Sequence, residues 1–140
     1  MQALWQTEVD WDEEPPPAIR YKWIELFKEM KKISKITFQR SLCCADASEP
    51  PMLCVFSDAS QDAFGTSAYI RQRTSGDKYQ VRLIAAKSRV APLKQISIPR
   101  LELQAAVLAS HLAKTIQQES RLQFKSVKLF TDSSITFAFM

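Results

Sequence analysis

Three carboxylates stand at the ends of predicted secondary-structure elements. Asp58 follows the apolar run 52–57, Asp132 follows the run 126–131, and Glu102 lies early in an amphipathic helix. If the two runs are parallel neighbouring strands, Asp58 and Asp132 leave the sheet side by side, and Glu102 leans in from the covering helix. Three like charges repel by about 1–4 kcal/mol per pair, which divalent cations relieve. The pattern predicts an all-oxygen site for Mg²⁺ or Mn²⁺, suited to two-metal phosphodiester hydrolysis.

Each of these carboxylates also has an ordinary structural interpretation. Asp58 could be a turn or cap residue, Asp132 could cap a following helix, and Glu102 could be a first-turn carboxylate stabilised by the helix dipole. The helical period favours a site role for Glu102. This residue is rotated by about 100° around the helix axis from Leu101, which places it inside the apolar arc of the helix. An unpaired charge there is costly.

The hydrophobic pattern predicts the elements that would position these acids. Strands are predicted at residues 52–57, 63–71, 79–86 and 126–131. Short links and the turn signal Thr74-Ser75-Gly76-Asp77 join the first three as an antiparallel meander. Ser97-Ile98-Pro99 opens a helix that runs to about Arg121, with Ser97 as its cap. A strand reached through a helix is a parallel neighbour, so the predicted class is α/β with a mixed sheet.

The first fifty residues have a different character. An acidic stretch with tryptophans ends in Pro15-Pro16-Pro17, which cannot be helix interior. An amphipathic helix is predicted at about 18–33, followed by a short strand at 36–42 and a linker at 45–51. We therefore predict two regions: a connecting segment, 1–50, and a folded domain, 51–140.

The charge of the chain is unevenly distributed. The 140 residues carry a net charge of +4, yet residues 71–100 hold eight basic side chains against Asp77 alone. Such a segment favours a polyanionic partner. The alternative is that most of these side chains form the solvated face of a hairpin.

Other classes of protein are disfavoured. No stretch approaches the roughly 20 apolar residues of a membrane helix, so no membrane partner is expected. The acidic N-terminus lacks an apolar signal core, which favours an intracellular protein. Three cysteines without metal-type spacing are expected to be reduced thiols.

The order strand–Asp, meander, helix–Glu, strand–Asp resembles the ribonuclease H fold. More specifically, residues 52–140 resemble the RNase H region of Pao/BEL-type retrotransposon polyproteins. The motifs that carry this resemblance are Phe56-Ser57-Asp58-Ala59-Ser60, Ala86-Lys87-Ser88-Arg89-Val90-Ala91-Pro92-Leu93, Ile98-Pro99-Arg100-Leu101-Glu102-Leu103 and Thr131-Asp132-Ser133. Upstream, Leu4-Trp5, Trp11-Asp12-Glu13 and Trp23 resemble the connecting region between reverse transcriptase and RNase H.

The resemblance implies a reaction and a set of roles. Asp58 would bridge two Mg²⁺ (or Mn²⁺) ions, Glu102 and Asp132 would complete the metal shell, and the RNA strand of an RNA–DNA hybrid would be cleaved. The implied partners are that hybrid and the rest of a retroelement polyprotein. Lys87, Arg89 and Arg100 lie in the matching motifs and would hold phosphates.

The resemblance also implies a fourth acidic ligand on a later helix, beyond Met140. We therefore expect a C-terminally truncated RNase H-like domain whose activity is weak or absent. An integrase core would order its acids Asp, Asp, Glu, and an aspartic protease would need Asp-Ser/Thr-Gly, so neither fits. A non-catalytic RNase H-like remnant, or a nucleic-acid or protein interaction module, remains open.

Overall fold

The computed structural model describes residues 9–37 and 39–133. Its internal contacts divide the chain into two units, Met1–Arg40 and Ser41–Met140. The sequence predicts a boundary at residue 50, between the connecting segment and the domain. The contact units do not test that boundary, which stays a prediction. Leu4-Trp5 lies outside the described residues.

The first unit contains one helix, α1, Pro17–Ile33. It starts on the proline run because a first-turn proline needs no amide hydrogen bond, and the amides of Ile19 and Arg20 both donate to the carbonyl of Pro16. Lys31 and Lys32 occupy its last turn, where the helix dipole favours cations. The predicted helix is therefore confirmed to within one residue. Within α1 no residue is buried; of its apolar stripe, Ile19 and Trp23 are half-buried and the remaining members are exposed.

The second unit is a four-stranded sheet covered by one helix. In chain order its elements are β1 Met52–Ala59, β2 Ala63–Arg73, β3 Tyr79–Val90, α2 Ile98–Glu119 and β4 Ser126–Thr131. The strand order is β3-β2-β1-β4. β1 is antiparallel to β2 and parallel to β4, and β2 is antiparallel to β3. The predicted mixed α/β sheet is confirmed. No helix among the described residues is long and apolar enough to span a bilayer.

Some element boundaries differ from the sequence prediction. β3 continues four residues beyond Ala86, because Lys87–Val90 pair with residues 63–66 of β2. This edge strand is mostly exposed there, so its ladder extends through polar positions that hydrophobic alternation does not mark. The short strand predicted at 36–42 is wrong for the described residues of that range, which show bends at Arg40 and Leu42 and no strand; Phe38 lies outside the described residues.

Residues 41–50, which we name the strap, include most of the predicted linker at 45–51. Hydrogen bonds tie the strap to the sheet. The amide of Cys44 donates to Gln72 Oε1 at 2.9 Å and its thiol to Gln80 Oε1 at 2.8 Å. Ala47 makes an isolated antiparallel bridge to Thr74. Since these bonds join the strap to β2 and β3, it belongs to the second unit.

α2 packs on one face of the sheet through two separate apolar clusters. The first joins Leu53, Val55 and Ala68 to Ala109, Leu112, Ala113 and Ile116. The second joins Phe64 and Ala91 to Leu101, Ala105 and Leu108. Between them, on the strands, lie two buried hydroxyl residues, Ser57 and Thr66, which are 7% and 6% exposed. The core is therefore interrupted by polar side chains near the carboxyl end of β1.

These two residues belong to a polar row that crosses the whole sheet. Lys87 pairs with Thr66, Thr66 with Ser57, and Ser57 with Thr131. Directly opposed residues share one face of a sheet, so all four lie on the face that α2 covers. On the other face, Phe56 stacks on Phe130 with ring centroids 4.7 Å apart.

Candidate metal and nucleic-acid site

The carboxyl ends of β1 and β4 bring Asp58 and Asp132 together. The parallel ladder pairs Ser57 with Thr131, and each acid is the next residue along its strand. Both carboxylates therefore leave the sheet at the same level and on adjacent strands, as the parallel pairing predicts. Both are exposed.

A cavity of about 800 Å³ opens at this end of the sheet. Its lining includes Asp58, Asp132 and Lys87, together with the aromatic residues Phe56 and Phe130. This volume is within the range of sites that hold small molecules or a few nucleotide groups. Two anionic side chains, one cation and aromatic rings thus share one open site.

Asp58 faces away from α2. The next residue, Ala59, packs against the cluster of Phe64 and Leu101, and successive side chains on a strand point to opposite faces. The Oδ1 atom of Asp58 accepts a hydrogen bond from the Ala59 amide at 2.7 Å. This bond orients the carboxylate at the cavity, but an Asx turn would need a bond to the amide two residues on, and Asp58 lies within β1.

Glu102 occupies a different position. It is the fifth residue of α2, and the first turn holds no acidic residue. The interpretation of Glu102 as a first-turn carboxylate held by the helix dipole is therefore wrong. Its neighbour Leu101 shares a cluster with Ala59, the residue after Asp58, so half-buried Glu102 lies at the same end of the sheet. It is not among the described residues that line the cavity.

The structure thus places two of the three predicted ligands, Asp58 and Asp132, in the cavity lining, and Glu102 outside that lining. Within residues 9–37 and 39–133, no three His, Cys, Asp or Glu side chains are grouped closely enough to hold a metal ion. The donors at the cavity are carboxylates and hydroxyls, which are the oxygen ligands that Mg²⁺ and Mn²⁺ prefer. The chemistry of the acid pair fits such a cation, and the metal-ligand roles of Asp58, Glu102 and Asp132 stay predictions.

Two hydroxyl groups shape the backbone beside the acid pair. The Ser57 hydroxyl donates across the strand boundary to the Phe130 carbonyl at 3.4 Å. The Thr131 hydroxyl accepts a hydrogen bond from the Ser133 amide at 3.2 Å, which shapes the chain around Asp132. Any helix that Asp132 would cap lies outside the described residues.

The three predicted phosphate-binding residues belong to β3 and to the first turn of α2. Lys87 and Arg89 are alternate residues of β3 and share one face of it, and Arg89 pairs with Phe64. Arg100 is the third residue of α2 and precedes Leu101, which packs with Phe64. All three side chains are exposed. They therefore form a basic surface on the side of the sheet that α2 covers, and Lys87 alone of the three reaches the cavity lining.

The polar row contains hydroxyl residues that the predicted site residues do not include. Its signal was present, because Ser57 follows Val55 by two positions and Thr66 lies between Phe64 and Ala68, all facing one way. In both strands the period of two predicts an apolar side chain at a position where a hydroxyl residue stands. That mismatch is the sequence signal of the polar row.

Comparison with known families adds an independent observation. The family model of the Pao retrotransposon-like RNaseH-like domain matches residues 1–133. The chain belongs to this family. The match spans both units, so the Pao retrotransposon-like RNaseH-like domain includes α1 as well as the sheet, and the four-stranded mixed sheet with its covering helix agrees with an RNase H-like fold. Comparison with curated proteins finds no match.

Proposed function

We propose that this chain is an RNase H-like nuclease domain of a retrotransposon polyprotein, and that it hydrolyses the RNA strand of RNA–DNA hybrids with Mg²⁺ or Mn²⁺. One observation carries the proposal. In a chain of this family, Asp58 and Asp132 leave two parallel strands side by side and line one cavity. Adjacent exposed carboxylates repel each other, and a shared divalent cation turns that repulsion into attraction.

The residues of the site divide into two tasks. Asp58 and Asp132 hold the cations, and Glu102 completes the shell from α2, at the same end of the sheet. Bound divalent cations would supply an activated water and stabilise the leaving oxygen of the phosphodiester. Lys87, Arg89 and Arg100 bind backbone phosphates. Lys87, which lines the cavity together with Asp58 and Asp132, connects this surface to the acid pair.

The basic surface supports a duplex substrate better than a small ligand. Its three cations belong to two elements, β3 and α2, that meet through Phe64 and Leu101. Contacts of this kind position a nucleic-acid backbone without reading its sequence. An RNA–DNA hybrid is then recognised through its helical shape and the 2′-hydroxyl groups of one strand.

The test is cleavage of a hybrid that carries a label on its RNA strand. The 140-residue protein at stoichiometric concentration is expected to cut the RNA strand in Mg²⁺ or Mn²⁺ and to leave the DNA strand intact. Asp58→Asn should lower the rate by about 100-fold or more, because the metal supplies several kcal/mol of the transition-state stabilisation. Asp62→Asn is the matched control, since Asp62 is an exposed acid close in sequence but not part of the cavity lining.

A second candidate function is a non-catalytic interaction module. The observation that favours it is the position of Glu102, which is not among the residues that line the cavity. This module would bind the hybrid with the salt dependence of a phosphate contact but would not cleave it at any protein concentration. Retained hybrid binding, no cleavage, and Mn²⁺ binding that Asp58→Asn leaves unchanged would together reject the nuclease in favour of this candidate.

A further inference from the structure

Both acids of the cavity are preceded by a hydroxyl residue. Ser57 and Thr131 come directly before Asp58 and Asp132, and the two hydroxyl residues are each other's partners in the parallel ladder. They form the last pair of that ladder. Any movement at this pair is therefore transmitted to both carboxylates.

The hydrogen bonds of the two hydroxyls act on the backbone that carries the acids. Ser57 Oγ donates to the Phe130 carbonyl of β4, two residues before Asp132. Thr131 Oγ1 accepts the amide of Ser133, the residue after Asp132. One bond joins the two strands and the other closes the chain around the second acid, so together they constrain the separation of the carboxylates.

Packing alone does not call for these residues. Ser57 is 7% exposed and lies on the face of β1 that carries Leu53 and Val55. A buried hydroxyl costs free energy unless it is hydrogen-bonded, so an apolar residue of similar size would serve the core as well or better. The burial of Ser57 therefore calls for a reason other than packing.

We propose that Ser57 and Thr131 are positioning residues that fix the separation of Asp58 and Asp132 and thereby set the affinity of the acid pair for a divalent cation. This inference rests on the proposed function. Two carboxylates that must repel each other in the metal-free protein stay at a binding separation only if the backbone holds them there. Partners that orient metal ligands typically change metal affinity by about 10-fold or more when they are removed.

The experiment measures Mn²⁺ binding to the metal-free 140-residue protein by electron paramagnetic resonance. Thr131→Val is expected to weaken binding by roughly 10-fold, and Thr131→Ser, which keeps the hydroxyl, to remain within about 2-fold of the original protein. Ser57→Ala and Ser57→Thr form a second pair with the same expectation. Thr115→Val is the matched control, because the Thr115 hydroxyl donates to the His111 carbonyl on the exposed side of α2, away from the acid pair.

A second readout needs no metal. The amide of Ser133 should exchange with solvent faster in Thr131→Val than in Thr131→Ser, since only the serine variant retains the acceptor oxygen. If Thr131→Val is not folded by circular dichroism, the Ser57 pair decides the matter.

The outcomes separate this inference from the proposed function. If Mn²⁺ binding does not depend on Asp58, the proposed function fails and the positioning role is overturned with it. If binding depends on Asp58 but the alanine and valine variants bind like their hydroxyl counterparts, the positioning role alone is overturned.

Discussion

Asp58 lies directly opposite Gly65 in the antiparallel ladder of β1 and β2. A Cβ atom at Gly65 would lie 3.2 Å from the Lys87 carbonyl oxygen and 3.5 Å from the Ser88 Cβ. The glycine thus allows β3 to approach β2 closely beside the acid pair. The strand that makes this close approach carries Lys87, which lines the cavity.

Gly65→Ala should test that close approach. The backbone carbonyl of Lys87 must move by a few tenths of an ångström, and we expect the free energy of unfolding in urea to fall by about 1 kcal/mol. Gly76→Ala is the control, because a Cβ there meets nothing within 4 Å among the described residues. It should be neutral or slightly stabilising. Equal effects of the two substitutions would contradict the close-approach argument.

Lys87→Ala should weaken binding of an RNA–DNA hybrid and reduce its salt dependence. Loss of one phosphate contact lowers the slope of log K against log salt concentration by about 1. The measurement is fluorescence anisotropy at several salt concentrations. Lys114→Ala, on the exposed side of α2, should leave the slope unchanged, and an unchanged slope for Lys87→Ala would remove that residue from the interface.

Thr66→Val should stabilise the protein. The Thr66 hydroxyl is buried and has no hydrogen-bond partner among the described residues, so valine of the same shape removes the cost of an unsatisfied group, about 1 kcal/mol. Thr74→Val is the matched control, because Thr74 is equally buried but its hydroxyl donates to the Lys78 carbonyl at 3.2 Å. Urea unfolding should show opposite signs for the two substitutions, and a destabilised Thr66→Val would show that this hydroxyl has a bound partner.

The ion pair of Glu49 and Lys125 should make stability depend on pH in the acid range. The hydrogen bond from Lys125 lowers the pKa of Glu49 from 4.5. A lowered folded-state pKa contributes stability that is full above the unfolded value and is lost as the pH falls through the folded value. Glu49→Gln should therefore lower the melting temperature by roughly 1–3 °C near pH 7, since exposed pairs contribute little.

That difference should shrink as the pH is lowered below 4.5, because the original protein then loses the charge that the variant lacks. Lys125→Met should cause a similar loss at neutral pH and remove most of the acid dependence. A Glu49→Gln effect that stays constant from pH 7 to pH 3 would show that the pair does not stabilise the fold.

Most of the elements are predictable from the sequence because their hydrophobic periods are clear. α2 and β4 were predicted almost to the residue, since a heptad-like apolar face and a short apolar run leave little ambiguity. Ser97 does occupy the N-cap position, but its side chain makes no cap hydrogen bond among the described residues. The end of β3 was missed because an edge strand continues through polar residues when its partner supplies the ladder.

The candidate site was predictable only in part. The parallel pairing of β1 with β4 follows from the crossover through α2, and it places Asp58 beside Asp132. The position of Glu102 relative to them depends on how a helix packs over the end of a sheet, which the helical period does not determine. Periodicity assigned Glu102 to the apolar arc, whereas its access to the cavity depends on the tilt and depth of α2.

The interruption of the core by Ser57 and Thr66 bears on how the domain unfolds. The cluster around Leu53 does not depend on the cluster around Phe64 for its own contacts. We therefore expect two regions of different cooperativity, with amides near Phe64 exchanging through local opening and those near Leu53 only through global unfolding. The end of the sheet that carries Asp58 can then rearrange around a ligand while the rest of the domain keeps its structure.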